Sequence, residues 1–249
     1  MEALTLRGIS KRFGGLTAVR EVHMDLAPGE RRALIGPNGA GKTTLFNVIA
    51  GDMFASSGTI AIFGKDVTHM PVNKRISLGL RRTYQSSSLL NMLTVRENLY
   101  LGIVGPDRGH LNMIKPALQD KSRMERVEEV AVSIGLADKL NMAAGDLSHG
   151  ECRQLELGLA IAWQPKLVML DEPAAGLSPE ERTKIKKLLL DLPRDITLLL
   201  IEHDMDIALS VVEQVTVLHE GSIVAEGVPS EITANPLVQR IYLGGTLHE

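Results

Sequence analysis

The stretch "IGPNGAGKTTLFNVIAG", residues 35 to 51, limits what this chain can fold into more than any other. It sets glycines, one lysine and two threonines between an apolar run and a segment that reads as a helix. Residues Gly36 to Thr43 fit the pattern G-x-x-x-x-G-K-[ST] of a phosphate-binding loop, in the strand-before, helix-after setting that the pattern needs. Gly39 and Gly41 permit backbone angles that side chains forbid, so successive N–H groups can converge on phosphate oxygens, and a helix start adds positive potential. The predicted cradle is Gly36, Pro37, Asn38, Gly39, Ala40 and Gly41. Lys42 is placed to reach the β- and γ-phosphates of a nucleoside triphosphate, Thr43 to bind Mg²⁺, and Thr44 to touch a phosphate.

Short apolar runs ("RRALIG", "KLVMLDE", "ITLLLIE", "VTVLHEG") alternate with helical patterns. Strands apolar throughout belong in a sheet covered on both faces, so the expected core is α/β and largely parallel. Thr94 with Glu97, Ser148 with Glu151, and Ser178-Pro179 with Glu181 each predict a capped helix start. From about residue 94 to 164 helical patterns dominate, and Met124, Val127, Ala131 and Ile134 recur at three- and four-residue steps, giving one apolar face. "VTVLHEGSIVAEG" predicts a hairpin turning near Glu220-Gly221.

Composition removes several classes. A net charge of −3, with no basic run beyond pairs such as Arg31-Arg32 and Arg81-Arg82, gives no general attraction to nucleic acid. Aromatic content of 3% leaves few rings for stacking bases. The single Cys152 can form neither an internal disulfide nor a thiolate cluster, which suits a reducing compartment; a small buried residue is its simplest reading. Runs such as "ITLLLI" fall far short of the roughly 20 residues that span a bilayer, and the first residues lack a secretory signal, so the chain is not expected to cross a membrane by itself.

A phosphate loop needs a carboxylate for its metal, and "LVMLDE" supplies two. Adjacent acids can divide the work, Asp171 holding the Mg²⁺ shell and Glu172 polarising the attacking water.

"LSHGECRQLELGLAIAWQP" leads straight into that acidic strand, and here the chain resembles the ATP-binding subunits of ABC transporters. Their signature usually reads L-S-G-G-Q; Leu147 to Glu151 reads LSHGE, differing at His149 and Glu151. The resemblance implies a head-to-tail dimer in which Ser148 and Gly150 meet the γ-phosphate of an ATP held by the other subunit, at a helix start that favours an anion. It further implies that Phe13 stacks on adenine, that Gln85 senses Mg²⁺ and the attacking water, and that His203 contacts the γ-phosphate. Lys42, Gln85, Glu172 and His203 are the expected catalytic set. Ser178 stands where many members carry aspartate, which puts one cross-subunit contact in doubt.

"RFGGLTAV", "LDEPAAGLSP", "IEHDM" and the terminal "YLGG" resemble the ATPases of branched-chain amino acid and urea or amide importers; "LSHG" and "VTVLHEGSIVAEG" lean toward the urea side. The implied fold is the phosphate-loop ATPase fold of ABC proteins: a nucleotide-binding core over 1–88 and 165–249 with an N-terminal antiparallel β portion, and an inserted helical subdomain over 89–164. The implied partners are a second ATPase copy or a related ATPase subunit, two transmembrane permeases and, indirectly, a solute-binding protein, at the cytoplasmic face of a bacterial or archaeal inner membrane. Leu89, Leu90, Met92 and Leu93 form either a groove for a permease helix or ordinary core. An export ATPase of lipid or lipopolysaccharide type shares much of this motif set, and a soluble ABC ATPase is a further alternative.

Overall fold

The computed structural model describes residues 1–83, 89–105 and 121–243. In chain order come β1 (Leu4–Phe13), β2 (Leu16–Leu26), β3 (Arg31–Ile35), α1 (Lys42–Ala50), β4 (Ser57–Ile62), β5 (Lys65–Asp66), α2 (Val72–Ile76) and β6 (Leu80–Arg82). Three helices follow: α3 (Val95–Val104), α4 (Lys121–Ser133) and α5 (His149–Ile161). Then come β7 (Leu167–Asp171), α6 (Pro179–Leu190), β8 (Thr197–Ile201), α7 (Met205–Val211), β9 (Gln214–His219), β10 (Ser222–Gly227), α8 (Pro229–Ala234) and α9 (Pro236–Leu243).

The strands form two sheets, a four-stranded one in the order β2-β1-β4-β5 and a six-stranded one in the order β10-β9-β3-β8-β7-β6. The first is antiparallel, and in β1 the buried Leu4, Leu6 and Ile9 give it a core face while Arg7 points to solvent. In the second, β9, β3, β8 and β7 run parallel, with β10 antiparallel at one edge. Every residue of β7 and of β8 is buried, as the unbroken apolar runs require. The β9–β10 hairpin turns on Glu220 (φ 47°) and Gly221 (φ 81°), the paired positive angles of a tight hairpin turn.

Two compact units emerge from the packing. One comprises Met1–Leu80, Lys166–Glu172 and Pro193–Glu249; the other comprises Arg81–Pro165 with Pro173–Leu192. α6, assigned from sequence to the returning core segment, therefore groups with the helices. In that helical unit α3, α4 and α5 pack through Val95, Leu99, Val127, Val130, Ala131, Ile134 and Leu155, all buried, while Met124 is half-buried. All three predicted capping boxes are formed, at Thr94, Ser148 and Ser178.

In the sheet unit, the helix that follows the phosphate loop is anchored at its far end by Arg75, a fully buried arginine. Its guanidinium donates to the carbonyls of Val48 (2.8 Å) and Ile49 (2.6 Å) in the last turn of α1, and to Met70 (2.8 Å). A helix ends in carbonyls with no partner of their own and with partial negative charge, so a cation suits them. Burial pushes the guanidinium pKa down to about 10. Replacing Arg75 by Met strands several buried carbonyls and is expected to cost about 2–4 kcal/mol of unfolding free energy in urea denaturation; a loss below about 0.5 kcal/mol would show that Arg75 anchors nothing.

Candidate functional site

β3 ends at Ile35, and six residues carry the chain from a buried strand into α1. The turn is too tight for a side chain at its end: Gly41 has φ 100°, and a Cβ there would stand 2.3 Å from the Ala18 carbonyl oxygen of β2. From behind, the Gly221 N–H donates to the Ala40 carbonyl at 2.9 Å and the Arg20 N–H to the Gly221 carbonyl at 2.7 Å. Braced in this way, the loop buries Gly36 and Ala40 and turns Asn38 and Gly39 to solvent, with Thr43 exposed and Thr44 half-buried beside them.

Lys42 is buried and folds back over this loop, its ammonium donating to the carbonyls of Gly36 (2.7 Å) and Pro37 (3.0 Å). Burial lowers its pKa, and the nearby charges of Glu172 and Asp171 oppose that shift. A cation and a helix start thus act on the same small volume, which is a field suited to an anion.

The parallel strands deliver the remaining groups to the same sheet edge. β7 ends in buried Asp171. The next residue, Glu172, takes a left-handed conformation (φ 52°) while its N–H donates to the Ile201 carbonyl at 2.9 Å. For a residue with a side chain such a conformation costs about 1–3 kcal/mol and persists only where neighbours enforce it. Its carboxylate Oε1 lies 2.5 Å from Nε2 of His203, just past the end of β8. The histidine's backbone is pinned: buried Glu202 accepts the His203 N–H at 3.1 Å, and Asp204 caps α7 by accepting the N–H groups of Asp206 and Ile207. A strained carboxylate facing a half-exposed imidazole can hold a water and take its proton.

Among the described residues no group of three or more His, Cys, Asp or Glu could hold a metal by itself. The Thr43 hydroxyl and the Asp171 carboxylate are hard oxygen donors, the chemistry Mg²⁺ prefers when phosphates and waters complete its shell.

Phe13 closes β1 with 47% of its surface exposed, and the Lys11 ammonium stands 5.2 Å from its ring centre, so the ring is a surface feature rather than core. Sequence reasoning missed Tyr242 of α9. Burial pushes its phenol pKa up to about 12, and the backbone of Gly36 in the phosphate loop works against that shift. The only hint was the terminal "YLGG", which carried a family resemblance and no role; Gly244 and Gly245 of that motif lie outside the described residues.

The helical unit holds the other predicted anion site. Ser148 caps α5, its Oγ accepting the Glu151 N–H at 3.3 Å while Glu151 Oε2 accepts the Ser148 N–H at 3.0 Å. The other Glu151 oxygen is paired with the Lys139 ammonium. That pairing is the largest of the influences holding the Glu151 carboxyl below its usual range. The unusual acid of LSHGE is therefore neutralised locally. The Gly150 N–H donates to Glu181 Oε1 at 3.1 Å, and Glu181 Oε2 accepts from the N–H and the Oγ of Ser178, each at 2.9 Å. Ser178 is thus the cap of α6. His149 is exposed and its ring lies beside Gly176. Cys152 is half-buried, with its thiol pKa raised by burial.

The phosphate loop, Lys42, Asp171, Glu172 and His203 converge in the sheet unit; Ser148, Gly150 and Ser178 lie together in the helical unit. Gln85 lies outside the described residues. Of the four apolar groove candidates, Leu89 is core at 8% exposure, Leu93 is intermediate, and Leu90 (50%) and Met92 (93%) face solvent. Buried Asn98 holds that loop by donating to the carbonyls of Leu90, Leu93 and Thr94.

Residues 19–175 match the family model of the ABC transporter, and residues 222–248 match that of the branched-chain amino acid ATP-binding cassette transporter. The chain is 37% identical over 248 residues to the high-affinity branched-chain amino acid transport ATP-binding protein LivG of Escherichia coli K12, covering 97% of each. It is 36% identical over 252 residues to the corresponding protein BraF of Pseudomonas aeruginosa, again covering 97% of each. Its structure superposes with a TM-score of 0.87 on the ADP conformation of MJ1267, an ATP-binding cassette of an ABC transporter, at 33% identity over 98% of this chain and 99% of that one.

The Lys139–Glu151 pair has a pH signature. The folded-state pKa of Glu151 is depressed, so the stability it contributes is present above the unfolded glutamate value of about 4.3 and is lost as pH falls through the lower folded value. Lys139→Met should be less stable than the parent at pH 7 in thermal denaturation, and the gap should close below about pH 4; a gap that persists at pH 3 would assign it to packing instead.

Proposed function

The chain belongs to the ABC transporter family of ATP-binding proteins, and from that premise we propose that it is the ATPase subunit of an importer for branched-chain amino acids. The observation that carries the reading is the joining of one phosphate loop, one strained acid and one pinned histidine at a single sheet edge, in a chain resembling LivG over nearly its whole length. The lean toward urea rested on "LSHG" and on the β9–β10 hairpin, neither of which touches solute; LivG and BraF are named for branched-chain amino acids.

Two copies close head to tail on two ATP molecules. In each site the Gly36–Gly41 loop and Lys42 of one copy hold the phosphates, and Ser148 and Gly150 of the partner complete the cage. Phe13 stacks on the adenine. Thr43 and Asp171 would hold Mg²⁺, which would supply charge neutralisation to the phosphates, and the family resemblance assigns Gln85 to sensing that metal. Thr44 adds a phosphate contact. Glu172 accepts a proton from the water that attacks the γ-phosphate, and His203 holds the carboxylate and the water in line. Lys42 and the partner's helix start stabilise the charge that gathers on the γ-phosphoryl oxygens.

No helix among the described residues is long and apolar enough to cross a membrane. As in a transporter of this family, the chain hands its motion to permease partners at the cytoplasmic face of the membrane. The surface that hands it over includes Leu90 and Met92, exposed apolar side chains on a loop whose backbone Asn98 fixes. Rigidity at that point is what lets a small closure move a partner.

Glu172→Gln should slow ATP turnover by about 10²- to 10⁴-fold while leaving ATP-driven dimerisation intact; hydrolysis near the parent rate would remove Glu172 from this role. Cysteines at Leu90 and Met92, but not at buried Leu89, should cross-link to a co-expressed permease, and failure at both would place the contact elsewhere.

A further inference from the structure

We propose that the Glu181 carboxylate is a built-in competitor for the γ-phosphate, occupying the Gly150 amide while the protein is open and leaving it when ATP is sandwiched. The inference rests on the reading that Gly150 receives the partner-bound phosphate. Of the first-turn amides of α5, that of Glu151 is already closed by Ser148, and that of Gly150 is taken by Glu181 at 3.1 Å. The approach is close enough to depend on the absence of a side chain: a Cβ on Gly150 would lie 2.4 Å from Glu181 Oε1, 2.7 Å from its Cδ and 2.8 Å from its Cγ. An anion already sits where an anion is to arrive. Carboxylate and phosphate repel, so both cannot hold one helix start.

The arrangement is built for exchange. Glu181 Oε2 is held separately by the Ser178 N–H and hydroxyl, so the side chain can release Gly150 and still cap α6. Lys184, one turn further along α6, lines the same small recess together with Ser148, Gly150, Glu151, Gln154 and Glu181, and offers the displaced carboxylate a counter-charge. Glu151 stays out of the exchange, being held by Lys139. The consequence is a threshold: closure requires enough ATP to displace an internal anion, which restrains hydrolysis in the resting subunit.

The test uses the full chain carrying Glu172→Gln, and reads by light scattering the ATP concentration that gives half-maximal dimer. Adding Glu181→Ala should lower that concentration about 3- to 10-fold, and Glu181→Gln, which keeps an acceptor without the charge, should fall between. A carboxylate that only supports the fold would raise the requirement when removed, so an equal or higher ATP requirement in both variants overturns the inference. Failure of the parent to dimerise with ATP at all would overturn the sandwich reading and this inference with it. Dimerisation of the parent with no downward shift in the variants overturns this inference alone.

Discussion

A helix begins with N–H groups that its own carbonyls cannot reach, and everything this chain does with phosphate depends on which of those beginnings it leaves open. α3, α5 and α6 are each closed by a serine or threonine and a glutamate folded back on itself. α1 has no acid in its first turn and no side-chain cap; a glycine begins it. Its other end is bound to a buried guanidinium. α1 is thus polarised at both ends to present positive potential outward, while the starts of α3, α5 and α6 carry a glutamate of their own first turn. Gly41 follows from the same demand, since the Ala18 carbonyl occupies the space its side chain would need.

Parallel pairing does the rest of the assembly in the sheet unit. Because β3, β7 and β8 run in one direction, the phosphate loop, the two acids and His203 all emerge at the same edge. The strain at Glu172 is the local consequence: the chain must turn at once after a fully buried strand, and the bond from its N–H to Ile201 holds the turn.

Much of this was legible in the residues. Short apolar runs announce β3, β7, β8 and β9, and in β7 and β8, buried at every residue, such strands cannot alternate. The capping boxes could be read as pairs three residues apart, and the phosphate loop from glycine and lysine spacing. What could not be read depends on contacts distant in sequence. Nothing near Lys139 says that it pairs with Glu151 twelve residues on, although that pair explains how LSHGE tolerates its acid. The Gly36 backbone acts on the Tyr242 phenol from almost the full length of the chain away. α6 sits between two core strands in sequence, yet groups with the helices, among which Glu181 bonds Gly150. Leu89 and Met92, three residues apart in one apolar cluster, end up on opposite sides of the line between core and solvent.

The central claim is that each γ-phosphate is held from two copies, by the α1 start of one and the α5 start of the other. The most direct measurement mixes a tagged copy carrying Lys42→Ala, unable to hold nucleotide, with an untagged parent copy, in the presence of an ATP analogue bearing a photoreactive group on its γ-phosphate. After illumination, mass spectrometry locates the label. The account predicts label on residues 147–151 of the tagged copy, the one that binds no nucleotide itself; label confined to the untagged copy would contradict it.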